Sequence, residues 1–242
     1  METWQVLGVG LGLALLLISI PFLNFIFSYL LIVIHELGHA FTAWIFGYPA
    51  IPAFDFIFGG GVTSIGDRVG GLVVFIYCCI AFLLYSVRFN PFALKFLGGL
   101  SLLYSVFSFF PIHRSLRTFM GHGFELIFAG IFLYRGISGF ACQHSGERSL
   151  YAMLSFFTVF NNFYLSGSLI FSESARVIYE QGKGGIIDSD FVVLANQFQV
   201  SVSSIAAFFI LCCLITPAIA FLFYFYRSWW GDILLRITSN VN

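Results

Sequence analysis

Phe22 to Phe46 reads FLNFIFSYLLIVIHELGHAFTAWIF, and this run decides the fold. It is apolar enough, and long enough, to cross a bilayer core, which takes about 20 helical residues. Inside it lies His35-Glu36-Leu37-Gly38-His39. Two imidazoles four residues apart share one helix face and can bind the same divalent cation, while the glutamate beside the first is placed to take a proton from water. Ionisable groups are costly in hydrocarbon, so their presence at this depth marks a working site.

The composition around this run agrees with it. Hydrophobic residues make up 60% of the chain and charged residues 9%, and 33 of the 242 residues are Phe, which describes an integral, multi-pass membrane protein. Apolar runs at 5 to 20, 22 to 46, 70 to 87, 92 to 110, 119 to 139, 150 to 171 and 202 to 226 predict an all-α polytopic protein of about seven transmembrane helices. Residues 1 to 242 then form a single membrane-embedded domain, and the longest polar stretch, 172 to 200, is its extramembrane loop. A net charge of zero offers no basic surface for nucleic acid, so the expected partner is the lipid bilayer. Cys78, Cys79, Cys212 and Cys213 fall in apolar runs as adjacent pairs, a pattern of small apolar filler rather than of a disulfide framework. Loop arginines and lysines divide almost evenly between the two sides, leaving the orientation open.

Because charge is scarce, the polar groups at membrane depth form a short set. Of 11 carboxylates only Glu36 and Glu125 lie well inside predicted spans, and of five histidines only His35, His39 and His122 do. Three histidines and two glutamates suit a divalent metal with a base beside it. At 1.5 Å per residue His35 lies about 21 Å from Pro21 and His39 about 12 Å from Gly47, well within the bilayer. The second cluster, Gly121-His122-Gly123-Phe124-Glu125, enters from the same face if the third and fourth runs form a hairpin. His122 and Glu125, three apart, share a helix face, and Gly38, Gly121 and Gly123 remove bulk so that helices can approach closely.

These residues resemble the site-2 protease family of intramembrane zinc metallopeptidases. The resemblance covers about residues 24 to 70 and, more loosely, 105 to 135. In that family the HExxH helix is followed by a Gly-rich strand or hairpin, and Phe54-Asp55-Phe56-Ile57-Phe58-Gly59-Gly60-Gly61-Val62-Thr63 is similar to it. An aromatic and β-branched run broken by three glycines favours strand and turn on its own account. The family's Leu-Asp-Gly, whose aspartate is the third zinc ligand, is absent here; Ser108-Phe109-Phe110-Pro111 resembles its lead-in, and the Gly-His-Gly-Phe-Glu motif occupies the corresponding region.

The resemblance implies a zinc metalloendopeptidase that cleaves membrane-anchored protein substrates, as in regulated intramembrane proteolysis, in a bacterial inner (cytoplasmic) membrane. One Zn²⁺ is held by His35, His39 and a third ligand from the second motif, His122 by preference, with Glu125 as the alternative or as an outer partner. Glu36 is the catalytic base. Phe58, Gly59, Gly60 and Gly61 are candidates for holding an unwound substrate by backbone hydrogen bonds. Asn161 and Asn162, in the middle of the sixth run, are candidate donors to the substrate, against an alternative role in interhelical hydrogen bonding. Two rival functions remain at this stage, a metal or proton transporter and a non-catalytic membrane scaffold that keeps the protease fold. A single polar cluster without an internal repeat favours the enzyme over the transporter.

Overall fold

The computed structural model describes residues 2 to 55, 60 to 182 and 188 to 238. Helices α1 (Thr3–Ser19) and α2 (Pro21–Ile45) are followed by a hairpin of β1 (Ala50–Asp55) and β2 (Gly60–Ile65). Then come α3 (Gly70–Ser86), α4 (Pro91–Phe109), α5 (Ile112–Ser138) and α6 (Ser145–Phe171). The short helices α7 (Glu173–Glu180) and α8 (Asp190–Phe198) lead to α9 (Val202–Phe225) and α10 (Arg227–Thr238). Five helices, namely α2, α4, α5, α6 and α9, are long and apolar enough to cross a membrane. Helices α1 and α3 are apolar but shorter, at 17 residues each.

Proline and its neighbours set the breaks. Pro21 occupies the first turn of α2 after an extended Ile20, which divides one apolar stretch into two helices. Pro91 opens α4 in the same way, and the Asn90 side chain accepts a hydrogen bond from the Ala93 amide at 3.0 Å. Helix α5 starts directly after Pro111, seven residues before the apolar run at 119 to 139 begins. His113, Arg114 and Arg117, which the apolar pattern assigns to a connecting loop, therefore lie on the first turns of a helix. A left-handed Gly139 (φ 72°) ends it.

Helix α5 is the centre of the bundle and packs against α2, α6 and α9, with α1 laid along α6. The principal core joins Leu126 and Ala129 of α5 to Val159 and Leu169 of α6, Phe191 and Leu194 of α8, and Phe209 of α9. The stretch from 172 to 200 thus contains two helices, and α8 is docked into the core by Phe191, which is wholly buried. Helices α2 and α5 approach so closely that a Cβ at Gly38 would overlap the Met120 carbonyl oxygen. That approach brings both halves of the polar set face to face.

The hairpin is antiparallel, with Ala50 opposite Ile65 and Asp55 opposite Gly60. Its base is closed by Gly66 N–H to the Pro49 carbonyl and Val69 N–H to the Gly47 carbonyl, both at 2.8 Å. Trp44 Nε1 donates to the Ala50 carbonyl at 2.9 Å and ties β1 to the end of α2. The strand expected after the HExxH helix is present as an antiparallel pair folded back along that helix so that β2 reaches Glu36, while 56 to 59 lie outside the described residues.

Candidate metal centre

Helix α2 presents His35, Glu36 and His39 from its second half, and β2, α5, α6, α7 and α8 close around them. The Nε2 atoms of His35 and His39 are 3.0 Å apart. Asp190 Oδ2, from the first turn of α8, lies 2.9 Å from the first and 3.1 Å from the second. Three ligand atoms from two segments distant in sequence thus converge on one point.

The partners of each ring fix which nitrogen carries the lone pair. His39 Nδ1 is 2.9 Å from the Arg117 carbonyl oxygen, which can only accept, so Nδ1 holds the hydrogen and Nε2 faces inward bare. His35 Nδ1 sits 2.7 Å from Glu125 Oε1, with the same consequence for its Nε2. The other oxygen of this buried carboxylate accepts from Asn162 Nδ2 at 2.6 Å, and Asn162 Nδ2 also donates to the Thr158 carbonyl at 3.0 Å. A carboxylate held this way orients an imidazole and raises its basicity as a ligand.

Three electron-rich atoms this close repel one another unless a proton or a cation lies among them. Two imidazole nitrogens and one carboxylate oxygen match the donor set of a catalytic zinc site that leaves a fourth position open. The residues present therefore fit the metal that the sequence suggests. A second group, His35, His122 and Glu125, also lies within ligand range, but it uses the Nδ1 edge of His35. His122 and Glu125 are brought to the back of the His35 ring and not to the point where both Nε2 atoms meet. His122 packs there against Phe191 and Phe209, with ring centroids 4.9 and 5.3 Å away, and its Nδ1 lies 3.3 Å from Glu125 Oε1.

Glu36 is buried, and the Thr63 hydroxyl of β2 donates to its Oε2 at 2.6 Å. Gly61 lies directly over the same side chain, where a Cβ would meet Glu36 Cγ and the Ile32 side chain. Gly60 begins β2, whereas Phe58 and Gly59 lie outside the described residues. The two asparagines separate in role. Asn162 commits both amide hydrogens to Glu125 and Thr158, so the Asn162 amide has none left for a substrate. Asn161 donates to the Phe157 carbonyl at 2.8 Å and lines the cavity. That cavity, about 480 Å³, is bounded by His35, Glu36, His39, Thr63, Tyr179 and Asp190 among others.

Sequence reasoning missed Asp190 and Thr63. Asp190 stands in the polar stretch outside every apolar run, and counting only groups at membrane depth discards it. The available signal was local: Ser189-Asp190 followed by Phe-Val-Val-Leu-Ala is a helix start, with an acidic residue in its first turn and an apolar face to bury.

Gly121 shows how little room the site leaves. A Cβ there would overlap His39 Nε2 and come within 2.7 Å of His35 Nε2. Alanine is better than glycine inside a helix by about 1 kcal/mol, but a methyl forced against two fixed rings costs typically about 1 to 3 kcal/mol, so Gly121→Ala is expected to lower stability slightly. Both rings are pinned through their Nδ1 atoms and cannot withdraw freely. Metal affinity is expected to fall by roughly 10-fold or more, the scale on which displaced outer partners act. Zinc titration beside a thermal melt checks this, and unchanged affinity would mean that the rings yield.

No family model matches the chain, and neither the curated proteins nor the solved structures give a match. The functional reading rests on the chemistry of the site.

Proposed function

We propose that this chain is an intramembrane zinc metalloendopeptidase that hydrolyses peptide bonds of membrane-anchored protein substrates. The observation that carries the reading is the convergence of His35 Nε2, His39 Nε2 and Asp190 Oδ2 beside the buried Glu36, in a cavity walled by apolar helices. His35, His39 and Asp190 would hold the ion, which makes Asp190 the third ligand and Glu125 the carboxylate that orients His35. When bound, zinc supplies Lewis acidity and makes a nucleophile available near neutral pH.

The chain's own residues supply the remainder. Glu36 accepts the proton of the attacking water and returns it to the leaving amine nitrogen. Thr63 fixes one oxygen of that carboxylate, so the base is held in a single rotamer. A helical substrate hides its carbonyls in internal hydrogen bonds and must be unwound before attack. Strand β2, lying against Glu36, offers a backbone along which an extended segment can be laid. By the resemblance that the sequence carries, the setting is a bacterial inner membrane and the role regulated intramembrane proteolysis.

The test is metal removal. Purified protein in proteoliposomes with a single-span test substrate is expected to hold one zinc per chain, to lose cleavage on chelation and to regain it with one equivalent of zinc. Cleavage that persists in metal-free protein would sink the reading, as would a chain that binds no zinc.

A further inference from the structure

Tyr179, the last aromatic residue of α7, has no part in the chemistry described so far. Its ring packs into the core beside Phe191, with centroids 6.0 Å apart, and its carbonyl accepts from Ser189 Oγ at 3.0 Å. Those two contacts pin it to the residues flanking Asp190. Its side chain lines the cavity that holds His35, Glu36 and Asp190. The phenol oxygen lies beside the backbone amide of Phe191, and no acceptor for the phenol's own proton lies within hydrogen-bonding distance among the described residues. Burial and the neighbouring Asp190 charge push the phenol above its ordinary range, which keeps it a hydrogen-bond donor at neutral pH.

The hydroxyl thus has the Phe191 amide as a donor to its oxygen, while its own hydrogen is left to meet an acceptor that enters the cavity. Peptide hydrolysis supplies such an acceptor. Water, losing its proton to Glu36, adds to the carbonyl carbon, and the carbonyl π pair moves onto oxygen. The pair returns as the carbon–nitrogen bond breaks and the amine takes the proton from Glu36. Negative charge therefore rises and falls on one oxygen, and a donor fixed before that charge appears stabilises it most. Asn162, with both amide hydrogens committed, cannot be that donor.

We infer that Tyr179 is a further catalytic residue, whose hydroxyl donates a hydrogen bond to the substrate carbonyl oxygen as it becomes tetrahedral and anionic. This rests on the peptidase reading above. The test compares the parent with Tyr179→Phe, using zinc stoichiometry, steady-state cleavage, and the affinity of a phosphinic peptide whose phosphoryl oxygens mimic the tetrahedral oxygen. The expected result is unchanged zinc, KM within about threefold, kcat lower by roughly 10²-fold, and phosphinate binding weakened by a similar factor. Replacement by 3,5-difluorotyrosine, which keeps the oxygen but ionises at lower pH, is expected to retain phosphinate affinity near neutral pH and to lose it in an alkaline limb.

Three results would overturn the inference: kcat and phosphinate affinity unchanged in Tyr179→Phe, zinc lost in parallel with activity, or no alkaline limb in the fluorinated protein. Zinc loss would assign the phenol to holding α8 in place. A parent that holds zinc and cleaves while Tyr179→Phe matches it removes only this inference. A parent that binds neither zinc nor phosphinate removes the peptidase reading with it.

Discussion

Asp190→Ala is expected to strip the centre of its metal while leaving the fold in place. The substitution removes one of three converging ligand atoms and the only negative charge among them. Its effect on affinity should exceed the roughly 10- to 100-fold that follows loss of an outer partner. The effect on the metal-free protein is small for two opposing reasons. An acidic residue in the first turn of α8 stabilises that helix end by about 0.3 to 1 kcal/mol, and this is lost. The crowding of Oδ2 against two imidazole nitrogens is relieved at the same time. Docking of α8 depends on Phe191, Leu194 and Ala195, which the change does not touch. The measurement is the melting temperature with and without saturating zinc, since a ligand that binds only the folded state raises stability by mass action. The zinc-dependent increment should vanish in Asp190→Ala and survive in His122→Ala. The reverse pattern would move the third ligand to the His122 side of the ring and sink the assignment made here.

How far the sequence reaches depends on how local each signal is. The histidine pair on α2 is legible because four residues is one helical turn, and His35 and His39 need no other segment to share a face. The hairpin is legible because glycines and β-branched residues leave the chain few alternatives. Glu125 is legible as a polar group at depth, though its role is not. Which ring nitrogen it meets is settled by how α2 and α5 cross, and no spacing encodes that. Asp190 stands 151 positions beyond His39 in a polar stretch, and only the burial of Phe191 and Leu194 brings that stretch back onto the bundle. The start of α5 is misjudged for a related reason. Hydropathy marks where a helix is apolar, whereas Pro111 marks where it begins, and Arg117 lies between the two. That difference bears on the site, because the Arg117 carbonyl holds His39.

Glu36→Gln separates the base from the ligands. The amide has nearly the shape of the carboxylate, its oxygen can still accept from Thr63, and none of the three converging ligand atoms is changed. Zinc content, melting temperature and phosphinate affinity should therefore stay close to those of the parent. What the amide cannot do is accept a proton from water or return one to the leaving nitrogen, and loss of a positioned general base costs typically about 10² to 10⁴-fold in rate. A buried carboxylate is also a standing electrostatic cost, so neutralising it should leave stability unchanged or raised. Lost cleavage without lost stability is what distinguishes a group kept for chemistry from one kept for packing. Should Glu36→Gln cleave at the parental rate with zinc bound, the base lies elsewhere. Should it unfold, the contact with Thr63 is structural, and the close fit of β2 over α2 needs another explanation than catalysis.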